Sequence, residues 1–254
     1  MLKFDYPTME KVPALWQLWQ EAFGDEDAYL EIFFSKAFAP ERCMFSEDED
    51  GKAAAALYWF DCDLNGQKLA YIFGVAVANA HRGKGYCRAL MSATLERLKA
   101  QGYQSAVLVP AKPSLYAMYE KLGFQKFGGV SEKEYHAAES PEALRELDGE
   151  EYERLRSVYL PAGGVVQKGE NIAFLAARTR LYAGADFVLS FVPGMGEFVV
   201  ELLGNQQKAS GIVRALGKEK LLVRSPGKDR DFAVFQPLVE GAEIPSYFGI
   251  PFDF

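Results

Sequence analysis

Val75-Ala76-Val77-Ala78-Asn79-Ala80-His81-Arg82-Gly83-Lys84-Gly85-Tyr86-Cys87-Arg88-Ala89-Leu90 is the stretch whose reading decides the fold. An apolar strand enters a short loop carrying two glycines, and the loop enters a helix. The helix stripe is set by Cys87, Leu90, Met91, Leu95 and Leu98. Glycines let the backbone turn tightly and approach a ligand, while the first-turn N–H groups of a helix have no partner within the helix. The helix dipole favours an anion there, and Arg82, Lys84 and Arg88 add cations. A pyrophosphate fits such a cradle. No Gly-Lys-Ser/Thr closes the loop and no Gly-x-Gly-x-x-Gly spacing occurs in it. A P-loop and a dinucleotide fingerprint are therefore both excluded.

Working outward, residues 9–23 and 25–38 carry apolar positions at helical spacing, and Pro40 marks the stop. Residues 43–45 and 53–63 read as strands around an acidic loop tip, Glu47-Asp48-Glu49-Asp50-Gly51. Asn65-Gly66 between two apolar runs predicts a tight hairpin returning through residues 69–77, because both turn positions need positive φ. Beyond the loop come the helix 86–100, a buried strand 105–109, and a helix from Ser114 with Leu115, Met118, Tyr119 and Leu122 on one face. Phe124 opens a further strand. Ala138-Glu139-Ser140-Pro141 reads as a linker, which places one domain over 1–140 and a second over 141–254.

The second half repeats the order. Residues 150–159 and 171–182 read as helices, 187–192 and 198–203 as strands across Pro193-Gly194-Met195-Gly196, and Asn205 as the N-cap of a helix stopped by Gly217. Residues 221–224 and 232–235 read as further strands. Gly204-Asn205-Gln206-Gln207 stands where the first half has its basic glycine loop, so a second anion cradle is not expected. The shared order reads as a decayed duplication.

The 254 residues carry a net charge of -7, which argues against nucleic acid as a partner, since phosphate binding needs a basic face. No apolar run approaches a membrane span, and no signal-peptide layout opens the chain. Three cysteines, Cys43, Cys62 and Cys87, lie far apart without metal-ligand spacing. They suit a reducing cytoplasm and predict neither a disulfide framework nor a metal site.

With both stretches in view, the sequence resembles the GNAT acyltransferase superfamily. The motif Arg/Gln-x-x-Gly-x-Gly/Ala matches Arg82-Gly83-Lys84-Gly85-Tyr86-Cys87, with Cys87 replacing the last small residue, and Tyr119-Glu120-Lys121-Leu122-Gly123-Phe124 matches a second family motif. The resemblance covers roughly residues 1–137. It implies a mixed, mainly antiparallel sheet flanked by helices, with acetyl-coenzyme A as co-substrate and no metal. Backbone groups of Val75, Ala76 and Val77 would pair with the pantetheine arm, and this strand would splay from the strand 106–109. Arg82 and the N–H groups of Gly83, Lys84, Gly85, Tyr86, Cys87 and Arg88 would hold the pyrophosphate. Lys112 stands where the family often has a cofactor-binding Asn.

By the same resemblance Tyr119 is the general acid for the departing thiolate, with Tyr116 as alternative donor. The general base is open among Asp61, Asp63, Glu21, Glu31 and ordered water. His81 and His136 read as solvent-facing residues. The whole layout is similar to tandem acetyltransferases of the enhanced-intracellular-survival type, whose second, degenerate GNAT-like domain serves as a wall of the acceptor cleft. The implied activity is direct acetyl transfer to a small-molecule or peptide primary amine; the alternative is a coenzyme-A-binding module without catalysis. A homo-oligomer is compatible with this reading. The aromatic end, Tyr247 to Phe254, is expected to dock, with Asp253 or the terminal carboxylate considered as a group entering the acceptor cleft.

Overall fold

The computed structural model describes residues 2–194 and 197–250. Its chain forms two compact units. The first comprises Met1–Cys62, Gly66–Gln125 and Val234–Glu243, and the second Asp63–Asn65, Lys126–Ala233 and Ile244–Phe254.

In the first unit, α1 (Val12–Phe23) and α2 (Asp27–Lys36) precede β1 (Cys43–Glu47), β2 (Ala53–Leu64, all but its last two residues) and β3 (Gln67–Val77). Helix α3 (Tyr86–Ala100), β4 (Ser105–Leu108) and the short α4 (Tyr116–Glu120) follow. The β2–β3 hairpin turns at Asn65 (φ 52°) and Gly66 (φ 84°), the two positive dihedrals that such a turn demands. Strands β1 and β2 pair antiparallel, and β3 pairs parallel with β4 across the α3 crossover. Trp19 of α1 sits 4.7 Å from the Phe33 ring, 5.2 Å from Tyr58 and 5.5 Å from Phe73, while its indole N–H donates to Asp25 at 2.8 Å. This aromatic cluster packs one face of the sheet. The opposite face buries Leu57, Trp59, Ile72, Leu90, Met91 and Leu98.

Trp19 also shapes β3. Gly74 has φ +59°, and a Cβ there would lie 3.0 Å from both the Trp19 and Tyr58 rings. This left-handed step, which glycine takes without steric cost, redirects the backbone that follows. That backbone is Val75–Val77, leading into the glycine loop.

The second unit holds β5 (Gln125–His136, all but its first residue), β6 (Arg145–Leu147), α5 (Gly149–Tyr159), β7 (Val166–Gln167), α6 (Glu170–Ala176) and β8 (Arg180–Ala183). It continues with β9 (Phe187–Val192), β10 (Phe198–Gly204), α7 (Ala209–Ala215), β11 (Lys220–Gly227) and the start of β12 (Arg230–Pro237). Its strands run β5-β11-β10-β9-β8-β6. All these pairs are antiparallel except β10–β11, which is parallel across the α7 crossover. Two helices, antiparallel strands and a parallel crossover thus recur in the order of the first unit.

Beneath this sheet the fully buried Glu201 carboxylate accepts from Arg156 Nε at 2.7 Å, Arg156 Nη2 at 3.0 Å, Tyr152 O–H at 3.2 Å and Tyr247 O–H at 2.9 Å. Burial first, then the Glu201 charge, pushes both phenols up. Tyr247, Phe248 and Ile250 are buried, and Val165 N–H donates to the Tyr247 carbonyl at 2.8 Å. The chain therefore docks as far as Ile250. Asp253 lies outside the described residues, as do Met195 and Gly196 of the β9–β10 turn.

Three sequence expectations change. The helix expected over 171–182 ends at Ala176, and Arg180–Ala183 instead pairs with β9, because an available sheet edge outweighs weak helical spacing. The expected linker at 138–141 is anchored: Ala138 N–H donates to Ser210 O, and Glu142 N–H to Gly211 O. The units also do not divide at 140/141. Strand β5 carries the chain out of the first unit from residue 126, and Val234–Pro237 returns to pair antiparallel with β4.

Candidate active site

The loop between β3 and α3 is built by three local ties. Glu21 of α1 accepts the Asn79 N–H at 2.6 Å, the Ala78 N–H donates to Ala54 O at 2.9 Å, and Arg82 Nε donates back to the Val77 carbonyl at 3.1 Å. Between Arg82 and α3 the chain passes through Gly83 (φ +73°) and Gly85 (φ +84°), and a Cβ at either would meet nothing within 4 Å. Open space therefore faces both glycines. Gly85 is the N-cap of α3 and no side chain caps that helix, so its first-turn N–H groups face outward as donors.

These donors front a cavity of about 290 Å³. One wall is Val77, His81, Arg82, Gly83, Gly85, Tyr86, Cys87 and Arg88; the other, from α4 and the turn after it, is Met118, Lys121 and Leu122. An apolar slot with N–H donors and three cations, Arg82, Arg88 and Lys121, can take a ligand that is anionic at one end and apolar along its length. Burial pushes the Cys87 thiol up, which keeps it protonated and a poor nucleophile.

The β3–β4 ladder runs over Leu69–Tyr71 against Ser105–Val107, while β3 continues to Val77 and β4 ends at Leu108. The strands thus part on the side where the cavity opens. Val75 and Val77 are half-buried against the core, Ala76 is buried, and of the three only Val77 reaches the cavity wall.

Other expected site residues lie elsewhere. Lys84 lines a neighbouring polar groove with Tyr86, His81 and the acidic turn. Lys112 is exposed, preceding the turn Pro113–Leu115, and is not part of the cavity wall. Tyr119 is 6 % exposed, packs edge-on against Phe124 at 5.9 Å, and does not line this cavity, although its helix neighbour Met118 does. Of the proposed bases, Glu21 is tied to the Asn79 N–H, and Asp61 accepts the Tyr103 O–H with Lys68 Nζ 3.9 Å away. Burial and then Asp61 raise the Tyr103 phenol well above its ordinary value.

Sequence reasoning missed His81, Met118, Lys121 and Leu122 as wall residues. Met118 and Leu122 share an i, i+4 face, a readable signal for the α4 wall. His81 gave no such signal. Its side chain is only 17 % exposed, with Nε2 facing Asp48 Oδ2 at 3.5 Å and the ring 4.7 Å from Tyr86.

The profile of the acetyltransferase (GNAT) domain family matches residues 3–127. Those residues belong to the GNAT family. The chain is similar to L-2,4-diaminobutyric acid acetyltransferase of Marinococcus halophilus, 25% identical over 121 residues, covering 47% of this chain and 69% of that protein. It is also similar to N-acetyltransferase family 8 member 2 of Rattus norvegicus, 36% identical over 66 residues, covering 25% of this chain and 29% of the relative. The chain thus spans under a third of that mammalian relative.

Among solved structures, Eis1 from Mycobacterium abscessus superposes with a TM-score of 0.65 at 12% identity, covering 94% of this chain and 74% of that one. The GNAT fold therefore extends beyond the matched domain into the second unit. Among the described residues, no helix is long and apolar enough to cross a membrane, and no cluster of His, Cys, Asp and Glu is placed to hold a metal ion.

Proposed function

We propose that the first unit binds acetyl-coenzyme A at the Gly83–Gly85 loop and transfers the acetyl group directly to a primary amine. The observation carrying this reading is the left-handed glycine pair at the uncapped N-terminus of α3, facing open space beside Arg82, Arg88 and Lys121. The open space before the two glycines is where a pyrophosphate would lie. The donors and cations match that ligand's charge, and the apolar walls match a pantetheine arm. Where β3 and β4 part, backbone groups of 75–77 would pair with that arm.

In the transfer, the amine nitrogen attacks the thioester carbonyl and a tetrahedral oxyanion forms. Collapse breaks the C–S bond, the nitrogen loses its proton to a base or water, and the thiolate takes one from an acid. Tyr119 is that acid in this reading. A phenol with an ordinary value near ~10 stays protonated at neutral pH and can give its proton to a sulfur anion. Its burial beside Phe124 fixes the ring.

A thiol-release assay with acetyl-coenzyme A and a panel of primary amines, beginning with diamino acids, tests the proposal. Turnover is expected with at least one amine. Tyr119→Phe, which keeps the ring, should lower kcat by about 10²-fold, the lower bound for losing a general acid. Full kcat in Tyr119→Phe would remove Tyr119 from the mechanism. Cofactor binding without thiol release from any amine would indicate a binding module instead, and no cofactor binding would refute the site.

A further inference from the structure

We propose that His81 is a positioning residue that holds the glycine loop in its phosphate-binding form, braced by Asp48 on one side and Tyr86 on the other. The proposal rests on the reading of the loop as the acetyl-coenzyme A site. Asp48 lies in the turn between β1 and β2, remote in sequence from the loop. Its Oδ1 accepts the N–H groups of Asp50 at 3.0 Å and Lys52 at 2.9 Å, so the carboxylate is itself fixed. The Lys52 N–H, with His81 adding to it, holds that carboxyl below the usual carboxylate range, and it stays ionised.

Its other oxygen, Oδ2, faces His81 Nε2 at 3.5 Å. The imidazole lies against the Tyr86 ring, with centroids 4.7 Å apart and planes 33° apart. Tyr86 is the first residue of α3, directly after Gly85. The His81 backbone is tied as well: its N–H donates to Ala78 O at 2.8 Å, and its carbonyl accepts the Lys84 N–H at 3.4 Å. The braced residues 81 and 86 thus bracket the two left-handed glycines.

Glycines in such a loop carry the greatest backbone freedom, and affinity falls in proportion to the fraction of time the binding-competent form is lost. A brace that pins both flanks raises that fraction without touching the ligand's reacting atoms. His81 also lines both the cavity and the neighbouring groove that the acidic turn borders.

The test is coenzyme A affinity by calorimetry, with acetyl-coenzyme A KM and kcat, on the full chain. The variants are His81→Ala, His81→Phe, Asp48→Asn and the double His81→Ala/Asp48→Asn. Asp48→Asn keeps an oxygen acceptor for Asp50 and Lys52 while removing the charge and the acceptor oxygen that faces His81. His81→Ala should raise Kd and KM about tenfold, with kcat at saturation and Tm unchanged, as the competent fraction falls to roughly a tenth. His81→Phe, retaining the stack, should fall between wild type and His81→Ala. Asp48→Asn should weaken binding about threefold, and the double variant no more than His81→Ala, because both act through one contact. Wild-type affinity in His81→Ala, a joint fall of kcat and Tm, or full additivity in the double variant would overturn the proposal. Failure of the wild type to bind coenzyme A would instead overturn the site reading on which it rests.

Discussion

Gly85 offers the cleanest measure of how much the loop conformation contributes to binding. Its φ is +84°, and a Cβ built there meets nothing within 4 Å. Gly85→Ala therefore costs only backbone energy, about 1–2 kcal/mol for an ordinary residue held in the left-handed region. If the free loop relaxes away from that conformation, the whole cost reappears on binding, as about a five- to thirty-fold rise in the coenzyme A Kd. If it does not relax, the cost lowers the unfolding free energy instead. The two losses, from calorimetry and urea unfolding, should sum to that ~1–2 kcal/mol. Gly85→Asn is the decisive comparison. Asn is bulkier than Ala but visits the left-handed region several-fold more readily, so it should cost less. Gly85→Asp shares some of that tolerance but brings a carboxylate toward the phosphates, adding about 1–3 kcal/mol of repulsion to binding alone. An Ala variant indistinguishable from wild type in both measurements, or an Asn variant worse than Ala, would refute the reasoning.

Two further outcomes follow from the placement of charge. Lys121 lines the cavity and Lys112 does not, so Lys121→Glu should weaken coenzyme A binding about tenfold while Lys112→Glu leaves it within about twofold, as titration of both variants would reveal. Glu201→Ala leaves Arg156 buried and unpaired and should cost about 3–5 kcal/mol in urea unfolding, with Arg156→Met/Glu201→Leu recovering part of the loss.

Much of the first unit was legible because its signals are local. Asn65-Gly66 dictates its hairpin through two positive dihedrals, and the helix periodicity of 86–100 needs only neighbours three and four residues away. The glycine loop is readable for the same reason, since strand end, turn and helix start are contiguous. Lys112 and Lys121 show where that reading stops. Both are lysines near α4, and only the direction in which α4 docks decides which one faces the cavity.

The sequence by itself determined the order of elements through β5 and the glycine loop with its neighbouring cations. Tertiary structure decided the rest. Strand β12 pairs with β4, so no single cut separates the units, and 180–183 is a strand because β9 offered an edge. Packing also buried Tyr119 beside Phe124 and set His81 on the cavity wall, where it meets Asp48. Turn and helix preferences act over a few residues, whereas strand pairing, cavity walls and side-chain braces join positions that only packing brings within reach.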